Sequence, residues 1–362
     1  MVVSILLGRA GGEAVVPRPS PVAELCACLH ALADPPHHPR SAAWVSAASE
    51  GLTGPLAADA ARLAPLWGAF RARYLLPLVG GPERGLDEEL ADVERLPRSV
   101  FVQMTAQALV GQTQRELFDP ELSGPAGREA RTALRARLRL ISPRHRELGE
   151  RLLADPEELR SRLLIFLEAV GSTVFDAEWA RLRPRLRADA VERRRQRHER
   201  GAGVLADLPI ATAHDDPPRV DFDKIYHATV SLAEQPCVLV PSVHVAPHIV
   251  IKHFPGHPTV VQYPIAAAAS EAPPLDLVRT RLAVLSDATR MRLCYDLLRT
   301  PCTTSDLAAR ARMTLPQVSR HLRRLREAGL VVGERQGAVV RYRLDLAAVN
   351  GLGPDLLAAL RR

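Results

Sequence analysis

Four residues near the C-terminus carry side chains that can read the edges of nucleic-acid bases. They are Gln317, Arg320, Arg323 and Arg324. Arginine can donate two hydrogen bonds to one guanine edge, glutamine can pair with an adenine edge, and both can hold a phosphate. The alternative is that an arginine-rich face is simply the solvated side of an amphipathic helix. The neighbouring elements distinguish these two interpretations.

An amphipathic helix is needed to present these side chains on one face. A single apolar stripe at spacings i, i+4 and i+7 predicts its buried side. The stripe consists of Val318, Leu322 and Leu325. Thr314 and Gln317 match a capping box at the start of the helix, with Pro316 in the first turn. Gly329 follows the last turn and predicts where the helix ends.

The flanking segments predict a helix-turn-helix followed by a hairpin. Thr303 and Asp306 form a T-x-x-D pair that predicts the start of the preceding helix. Residues 330–335 and 339–344 alternate in polarity around a Gln336-Gly337 turn, which indicates a β-hairpin. A capped helix, a short turn, a polar-faced helix and a hairpin together favour DNA binding over a merely solvated face.

This region resembles the winged-helix domain of the ArsR/SmtB-type transcriptional regulators. The resemblance covers about the last quarter of the chain, in LSDATRMRLCYDLL from Leu285, SDLAARA, QVSRHLRRLREAGLV and VVRYRL. It implies a homodimer that binds duplex DNA at a two-fold symmetric operator. Repression is expected rather than activation, because blocking a promoter needs only occupancy. By the same resemblance, residues 275–285 and a tail helix at 354–360 would form the dimer contact.

Base contacts are assigned to the start of the recognition helix, and backbone contacts to its later turns and the wing. The residues predicted to meet base edges are Thr314, Pro316, Gln317, Ser319 and Arg320. Those predicted to hold phosphates or enter the minor groove are Arg323, Arg324, Arg335, Gln336 and Arg341. The chain departs from the family at Arg312, where glycine is usual in the turn, and at Ala338, where a basic residue often follows the wing glycine. The minor-groove role therefore falls to Arg335 or Arg341.

The length of the chain and the distribution of its charge both indicate two domains. A chain of 362 residues is long enough for two hydrophobic cores. Residues 276–362 contain 16 arginines and 8 acidic residues, a net charge of +8, whereas the whole chain carries +7. Lys224 and Lys252 are the only lysines, which suggests a high-GC bacterial genome, so the placement of arginine matters more than its abundance. The surplus of positive charge lies in the segment predicted to bind DNA, where it would neutralise phosphates.

The remainder of the chain predicts a mainly helical domain with a small antiparallel sheet. Helical patterns occupy residues 22–33, 56–76, 99–109, 127–140, 147–153, 156–170 and 175–198. Strand patterns are residues 2–7 and the runs HATVSL, CVLVPS, HIVIKH and TVVQYP, while 201–220 resembles a loop. We therefore predict a fold that is mainly α with small antiparallel β elements: an α+β domain at 1–265, a linker at 266–275 and a winged helix-turn-helix at 276–362.

The N-terminal domain resembles the uncharacterised domain found ahead of ArsR-type winged helices in some actinobacterial regulators. The resemblance is carried by SPVAELCACLHALADPPHHP (residues 20–39), Trp44, VLVPS (238–242) and QYP (262–264). It implies no chemistry, only an association with a DNA-binding domain. An unknown small-molecule effector of this domain is one alternative, and a winged helix used for protein contact is another.

Cysteines and histidines form two candidate metal clusters. Cys26, Cys28 and His30 form C-x-C-x-H, with residues 37 and 38 also histidine. Two thiols two residues apart on a helix point ~200° apart, however, so buried free cysteines are the better interpretation. His244 and His248 share strand parity, but Pro247 disturbs it and no acidic or thiol partner recurs. The positions that bind metal in many ArsR-type sensors lack cysteine or histidine here, so no metal site is predicted.

Nothing in the sequence indicates catalysis or a cofactor. The nucleophile-elbow, phosphate-loop and H-E-x-x-H motifs are absent, so the chain is not expected to be an enzyme. An odd number of cysteines, five, suits a reducing compartment better than a disulfide framework. Neither a signal peptide nor a membrane span is predicted. A cytoplasmic, nucleoid-associated protein is expected.

Overall fold

The computed structural model describes two compact units, Met1–Ile265 and Ala266–Arg362. The described residues are 2–8, 12–111, 124–224, 226–265, 275–336, 339–353 and 355–356. The predicted linker, residues 266–275, lies outside them except for Leu275, which begins a helix. None of the helices in the described part of the chain is long and apolar enough to cross a bilayer.

Helices are the main secondary structure of the N-terminal unit. They are α1 (Pro21–Ala33), α2 (Ala42–Gly51), α3 (Gly54–Leu63), α4 (Leu86–Glu94), α5 (Arg98–Val110), α6 (Gly124–Arg139), α7 (Pro143–Ala154), α8 (Pro156–Val170) and α9 (Asp176–Arg200). Local signals set their starts: Ser20 Oγ accepts from Ala23 N at the start of α1, and Asp155 accepts from Glu157 N and Glu158 N at the start of α8. The predicted helices are confirmed, although 56–76 breaks after Leu63 into 3-10 turns.

Helix α1 is the centre of the larger core. It contacts α2 and α4, and almost all of its residues are buried, Leu25, Cys26, Cys28 and Leu29 among them. Around it, Trp67 stacks on Phe166 with ring centroids 5.6 Å apart. A helix that is apolar on every side is buried on every side.

Two four-stranded sheets complete the described part of this unit. Their strands are β1 (Val2–Leu6), β2 (Val15–Pro17), β3 (Ala211–Asp215), β4 (Pro218–Asp223), β5 (Ala228–Ser231), β6 (Cys237–Ser242), β7 (Val250–Phe254) and β8 (His257–Pro264). The strand orders are β3-β4-β1-β5 and β2-β6-β8-β7. The predicted α+β class is confirmed. Residues 201–220, predicted as a loop, contain a 3-10 helix, β3 and the start of β4.

The expectation of purely antiparallel β elements is wrong in this unit. The pairs β1–β5, β2–β6 and β6–β8 are parallel, and β1–β4, β3–β4 and β7–β8 are antiparallel. Parallel neighbours need a long crossover connection. Here β1 and β2 lie at the start of the chain and pair with strands more than 200 residues later, so helices form the connection.

One buried ion pair joins the segment after β2 to α4. Arg18 Nη1 lies 2.7 Å from Glu89 Oε1, and both side chains are nearly fully buried. The second carboxylate oxygen of Glu89 accepts from Ser20 Oγ at 2.7 Å and from Val22 N at 3.2 Å. Glu89 therefore fixes the start of α1 against α4.

The C-terminal unit is a winged helix-turn-helix. Its elements are α10 (Leu275–Leu285), α11 (Ala288–Arg299), β9 (Cys302–Thr303), α12 (Thr304–Ala311), α13 (Leu315–Glu327), β10 (Val331–Gln336), β11 (Val339–Leu344) and α14 (Leu346–Asn350). The sheet order is β10-β11-β9, with Val331 opposite Leu344 and Gln336 opposite Val339. Its separate core joins α11, α12, α13 and the hairpin. The predicted winged helix is confirmed.

Candidate nucleic-acid interface

Capping side chains set the helix-turn-helix geometry. Asp306 Oδ2 accepts from Thr303 N at 2.9 Å and from Thr303 Oγ1 at 2.8 Å, while Asp306 N donates to Thr303 Oγ1, which completes the cap of α12. The turn between the helices passes through Arg312 in the left-handed conformation, at φ 55° and ψ 47°. Glycine adopts this conformation without steric cost. Arg312 therefore adopts the left-handed conformation that a glycine at this position would favour.

Helix α13 buries one stripe and exposes the other. The side chains of Val318, Leu322 and Leu325 are buried in the unit's core. The described side chains predicted to contact DNA are all exposed: Thr314, Pro316, Gln317, Ser319, Arg320, Arg323, Arg324, Arg335 and Arg341. The structure therefore places the polar stripe of α13 at the surface, with the apolar stripe holding the helix in place.

The first turn of α13 holds two of these side chains together. Gln317 Oε1 accepts from Thr314 N at 2.9 Å and from Thr314 Oγ1 at 3.0 Å. A glutamine needs both its acceptor oxygen and its donor nitrogen to pair with an adenine edge. Gln317 would have to give up this cap to read a base in that way, so Arg320 is the better candidate for base recognition.

The remaining cationic side chains lie along α13 and the hairpin. Arg323 Nε lies 3.7 Å from Glu327 Oε1, and both side chains are largely exposed. Exposed ion pairs of this kind are weak, so a phosphate can displace the glutamate. In the hairpin, Arg341 Nη1 donates to Pro301 O at 3.5 Å. The side chain of Gln336 and the turn residues 337–338 lie outside the described residues.

Helices α10 and α11 expose an apolar surface. Its large side chains are each between 42% and 57% exposed: Leu275, Leu282, Met291, Tyr295 and Leu298. The last three follow i, i+4 and i+7 along α11, so they share one face of that helix. Of the two segments predicted to form the dimer contact, 275–285 is helix α10, whereas most of 354–360 lies outside the described residues.

The residues of the two candidate metal clusters are grouped in the fold differently from their order in the sequence. Cys26 and Cys28 are fully buried in α1, and burial raises the pKa of the Cys26 thiol to about 12. His244 makes hydrogen bonds with Ser41 Oγ and Glu178 Oε1, each at 2.8 Å. Burial alone would raise the pKa of Glu178. The hydrogen bond with His244 and the nearby Arg181 outweigh burial and lower this pKa to about 2, so the Glu178 carboxylate is charged.

His248 instead joins the histidines that follow Cys28 in the sequence. The ring of His248 lies 5.3 Å from that of His38 and 6.2 Å from that of His30, between centroids. It also stacks on His37 at 4.7 Å. More than 200 residues separate His38 from His248 in the sequence, and no local pattern links the two groups.

Comparisons with known proteins separate the same two parts of the chain. A model described as a family of unknown function (DUF5937) matches residues 1–269, and one described as a helix-turn-helix domain matches residues 285–334. Over 72 residues the chain is 37% identical to the HTH-type transcriptional regulator KmtR of Mycobacterium tuberculosis, covering 20% of this chain and 55% of that protein. Over 70 residues it is 45% identical to the HTH-type transcriptional regulator CmtR of Mycobacterium bovis, covering 19% and 59%.

The chain therefore spans a little over half the length of these curated relatives. Among solved structures, an ArsR-like transcriptional regulator from Rhodococcus sp. RHA1 aligns with 23% of this chain and 77% of its own, at 30% identity and a TM-score of 0.22. The first family model covers most of the chain, and the second coincides with α11 to β10. The chain belongs to the DUF5937 family, whose function is unknown, and residues 285–334 of its C-terminal unit match a helix-turn-helix domain.

Proposed function

We propose that this protein is a transcriptional regulator that binds duplex DNA through its winged helix. The observation that carries the proposal is the exposed row of Arg320, Arg323 and Arg324 on α13, opposite the stripe that anchors the helix. A helix of this kind fits the major groove, where arginine reads guanine and binds flanking phosphates. The net charge of +8 over residues 276–362 supports the same role, since DNA binding requires phosphate neutralisation.

The roles divide along the surface. Arg320 and Ser319 would contact base edges, while Thr314, Pro316 and Gln317 form the capped first turn that approaches the bases. Arg323 and Arg324 would hold phosphates. The wing residues Arg335, Gln336 and Arg341 would contact the minor groove or its phosphates. Phosphate contacts of this kind fix orientation, and base contacts supply the sequence preference.

Recovery of bound DNA tests the proposal directly. The full chain would be incubated with fragmented genomic DNA of its own organism, and the retained fragments would be sequenced. We expect a few enriched sites with two-fold symmetry, and retention that decreases steeply with salt. A winged helix used only for protein contact would retain no DNA in a salt-dependent manner, and that result would refute the proposal.

Arg324→Ala should weaken binding to all DNA sequences alike. Removing one phosphate contact should lower the slope of log K against log salt by about 1. The measurement is fluorescence anisotropy of the enriched site and of an unrelated duplex at several salt concentrations. Arg292→Ala, which removes an exposed arginine of α11 in the same unit, is the control. An unchanged slope for Arg324→Ala would contradict the phosphate role.

A homodimer is the assembly that we propose for DNA binding. A two-fold symmetric site needs two winged helices, and the exposed apolar residues of α10 and α11 offer a surface that a second copy would cover. Leu282→Glu should convert the dimer to a monomer, because it would bury a charge in that contact. Analytical ultracentrifugation measures the change, with Leu140→Glu, a more exposed leucine of the N-terminal unit, as the control. A Leu282→Glu variant that remains dimeric would place the contact elsewhere.

Repression is the regulatory sense that we propose, because occupying a promoter is sufficient to block it. The N-terminal unit would control DNA binding by the winged helix and would not catalyse a reaction. The protein would act in the cytoplasm. A thermal-shift screen of the full chain against metabolites would reveal an effector, since a ligand that binds only the folded state raises its melting temperature.

A further inference from the structure

Three histidines from separate segments meet in the N-terminal unit. His30 lies near the end of α1, His38 follows the turn after that helix, and His248 lies between β6 and β7. One imidazole nitrogen of each lies within 4.8 Å of the other two. The ring centroids of His30 and His38 are 4.7 Å apart. Within the described parts of the chain, this is the group of potential ligands whose atoms converge in this way.

His38 supplies an independent sign that the cluster holds a ligand. Its side chain is fully buried, and one ring nitrogen, Nδ1, lies 2.8 Å from the carbonyl oxygen of Ala246. A carbonyl accepts, so Nδ1 carries the proton and Nε2 presents its lone pair. Nε2 is buried without a hydrogen-bond partner among the described residues. Buried polar atoms are rarely left unsatisfied, so the lone pair of Nε2 is the group to which a ligand would bind.

The protonation of the cluster suits a cation. Burial, Arg71 and the neighbouring imidazoles lower the pKa of His30 to about 3, and burial with the same kind of neighbours lowers that of His248 to about 4. Burial also lowers the pKa of His38. All three rings are therefore neutral at neutral pH, and neutral imidazole is the form that binds metals.

We propose that His30, His38 and His248 form a binding site for one divalent first-row transition-metal ion, of the class of Zn²⁺, Co²⁺ and Ni²⁺. Imidazole nitrogen is a preferred ligand of these ions, and three histidines leave a fourth position for water. The hydrogen bond from His38 to a backbone carbonyl is the outer contact that commonly orients a ligating histidine.

To bind one metal ion, the three imidazole rings must move slightly closer together. Metal–nitrogen distances of about 2.0–2.1 Å place tetrahedral nitrogens about 3.3 Å apart. The nitrogens, now within 4.8 Å, would move together by up to about 1.5 Å, which rotation of the half-buried His30 and His248 can supply. The uncharged ligands and the nearby Arg71 cation predict a modest affinity. The site would lie outside the winged helix, so it is independent of the proposed DNA contacts.

Titration with Co²⁺ tests the proposal. The full-length chain, dialysed against a chelator, would be titrated while its visible absorption is recorded, because nitrogen-bound tetrahedral Co²⁺ absorbs far more strongly than the hydrated ion. We expect one equivalent to bind and Zn²⁺ to displace it. His30→Gln and His248→Gln should each weaken binding at least about 10-fold. His38→Asn should do the same while keeping an amide donor for Ala246 O.

A matched control separates this site from surface histidines. His198→Gln removes an exposed histidine at the end of α9 and should bind Co²⁺ like the wild type. Tryptophan fluorescence melting of the metal-free variants would show that they are folded. If His38→Asn does not fold, His30→Gln and His248→Gln decide the matter. The proposal is overturned if the wild type gives no tetrahedral spectrum, or if those variants bind as tightly as the wild type.

Discussion

Arg320→Ala should weaken binding to the specific DNA site by about 1–3 kcal/mol, or roughly 5- to 150-fold, and relax the preference for one base pair. Arg320 lies on the exposed side of α13, roughly opposite Val318 of the buried stripe. A guanidinium there can reach a guanine edge with two hydrogen bonds, and alanine replaces neither of them. Anisotropy with the enriched site and single-base variants, at one fixed salt concentration, measures both effects.

Arg326→Ala is the matched control for this prediction. It removes the same charge from the same helix, but its position is about 120° around the axis from Arg320. Arg326 is also exposed, so neither substitution disturbs the core. We expect Arg326→Ala to leave the base preference unchanged. If Arg320→Ala and Arg326→Ala reduce affinity equally for every sequence, Arg320 contributes only charge and the base-reading role is wrong.

Glu89→Ala should destabilise the N-terminal unit by about 3–5 kcal/mol. The substitution leaves the buried guanidinium of Arg18 without its 2.7 Å partner and removes the acceptor of Ser20 Oγ and Val22 N. An uncompensated buried charge costs far more than the ion pair contributes, because burial has removed its water. Urea unfolding followed by tryptophan fluorescence measures the loss. Trp44, Trp67 and Trp179 are the only tryptophans and all lie in this unit, so the signal reports its unfolding alone.

Two further variants identify the cause of that loss. Asp87→Ala removes an exposed carboxylate from the first turn of the same helix and should change the free energy of unfolding by only about 0.5 kcal/mol. The double variant Arg18→Met with Glu89→Leu removes both buried charges and should recover much of the lost stability. A double variant as unstable as Glu89→Ala would show that the lost hydrogen bonds from Ser20 Oγ and Val22 N, not the unpaired charge, cause the effect.

Local patterns were sufficient to predict the winged helix. The caps at Thr303 and Thr314, the stripe of Val318, Leu322 and Leu325, and the stop at Gly329 are each set within about one or two helical turns. Such signals depend on neighbouring residues, so one sequence carries them in full. Which exposed residues contact DNA, and how, stays a prediction. The structure confirms the predicted capping box, in which Gln317 Oε1 accepts from Thr314 N.

Local sequence patterns could not predict which distant strands pair with one another. The start of the chain supplies β1 and β2, which pair in parallel with β5 and β6, and no local pattern specifies a partner more than 200 residues away. The sequence pattern did not predict the hairpin β3–β4, because the residues of β3 are partly polar and partly exposed. Its register follows from the two-residue turn at Asp216-Pro217, and β4 pairs with β1 on its other side.

By itself, the sequence determined the helices, the two-part organisation of charge and the amphipathic face of α13, because each depends on the order of neighbouring residues. Only the tertiary structure decided which strands are parallel, which charges are buried together and that His248 lies against His30 and His38. These features depend on contacts between segments far apart in the chain. Such contacts are selected by the total burial of apolar surface and the satisfaction of buried polar groups, which no single segment encodes.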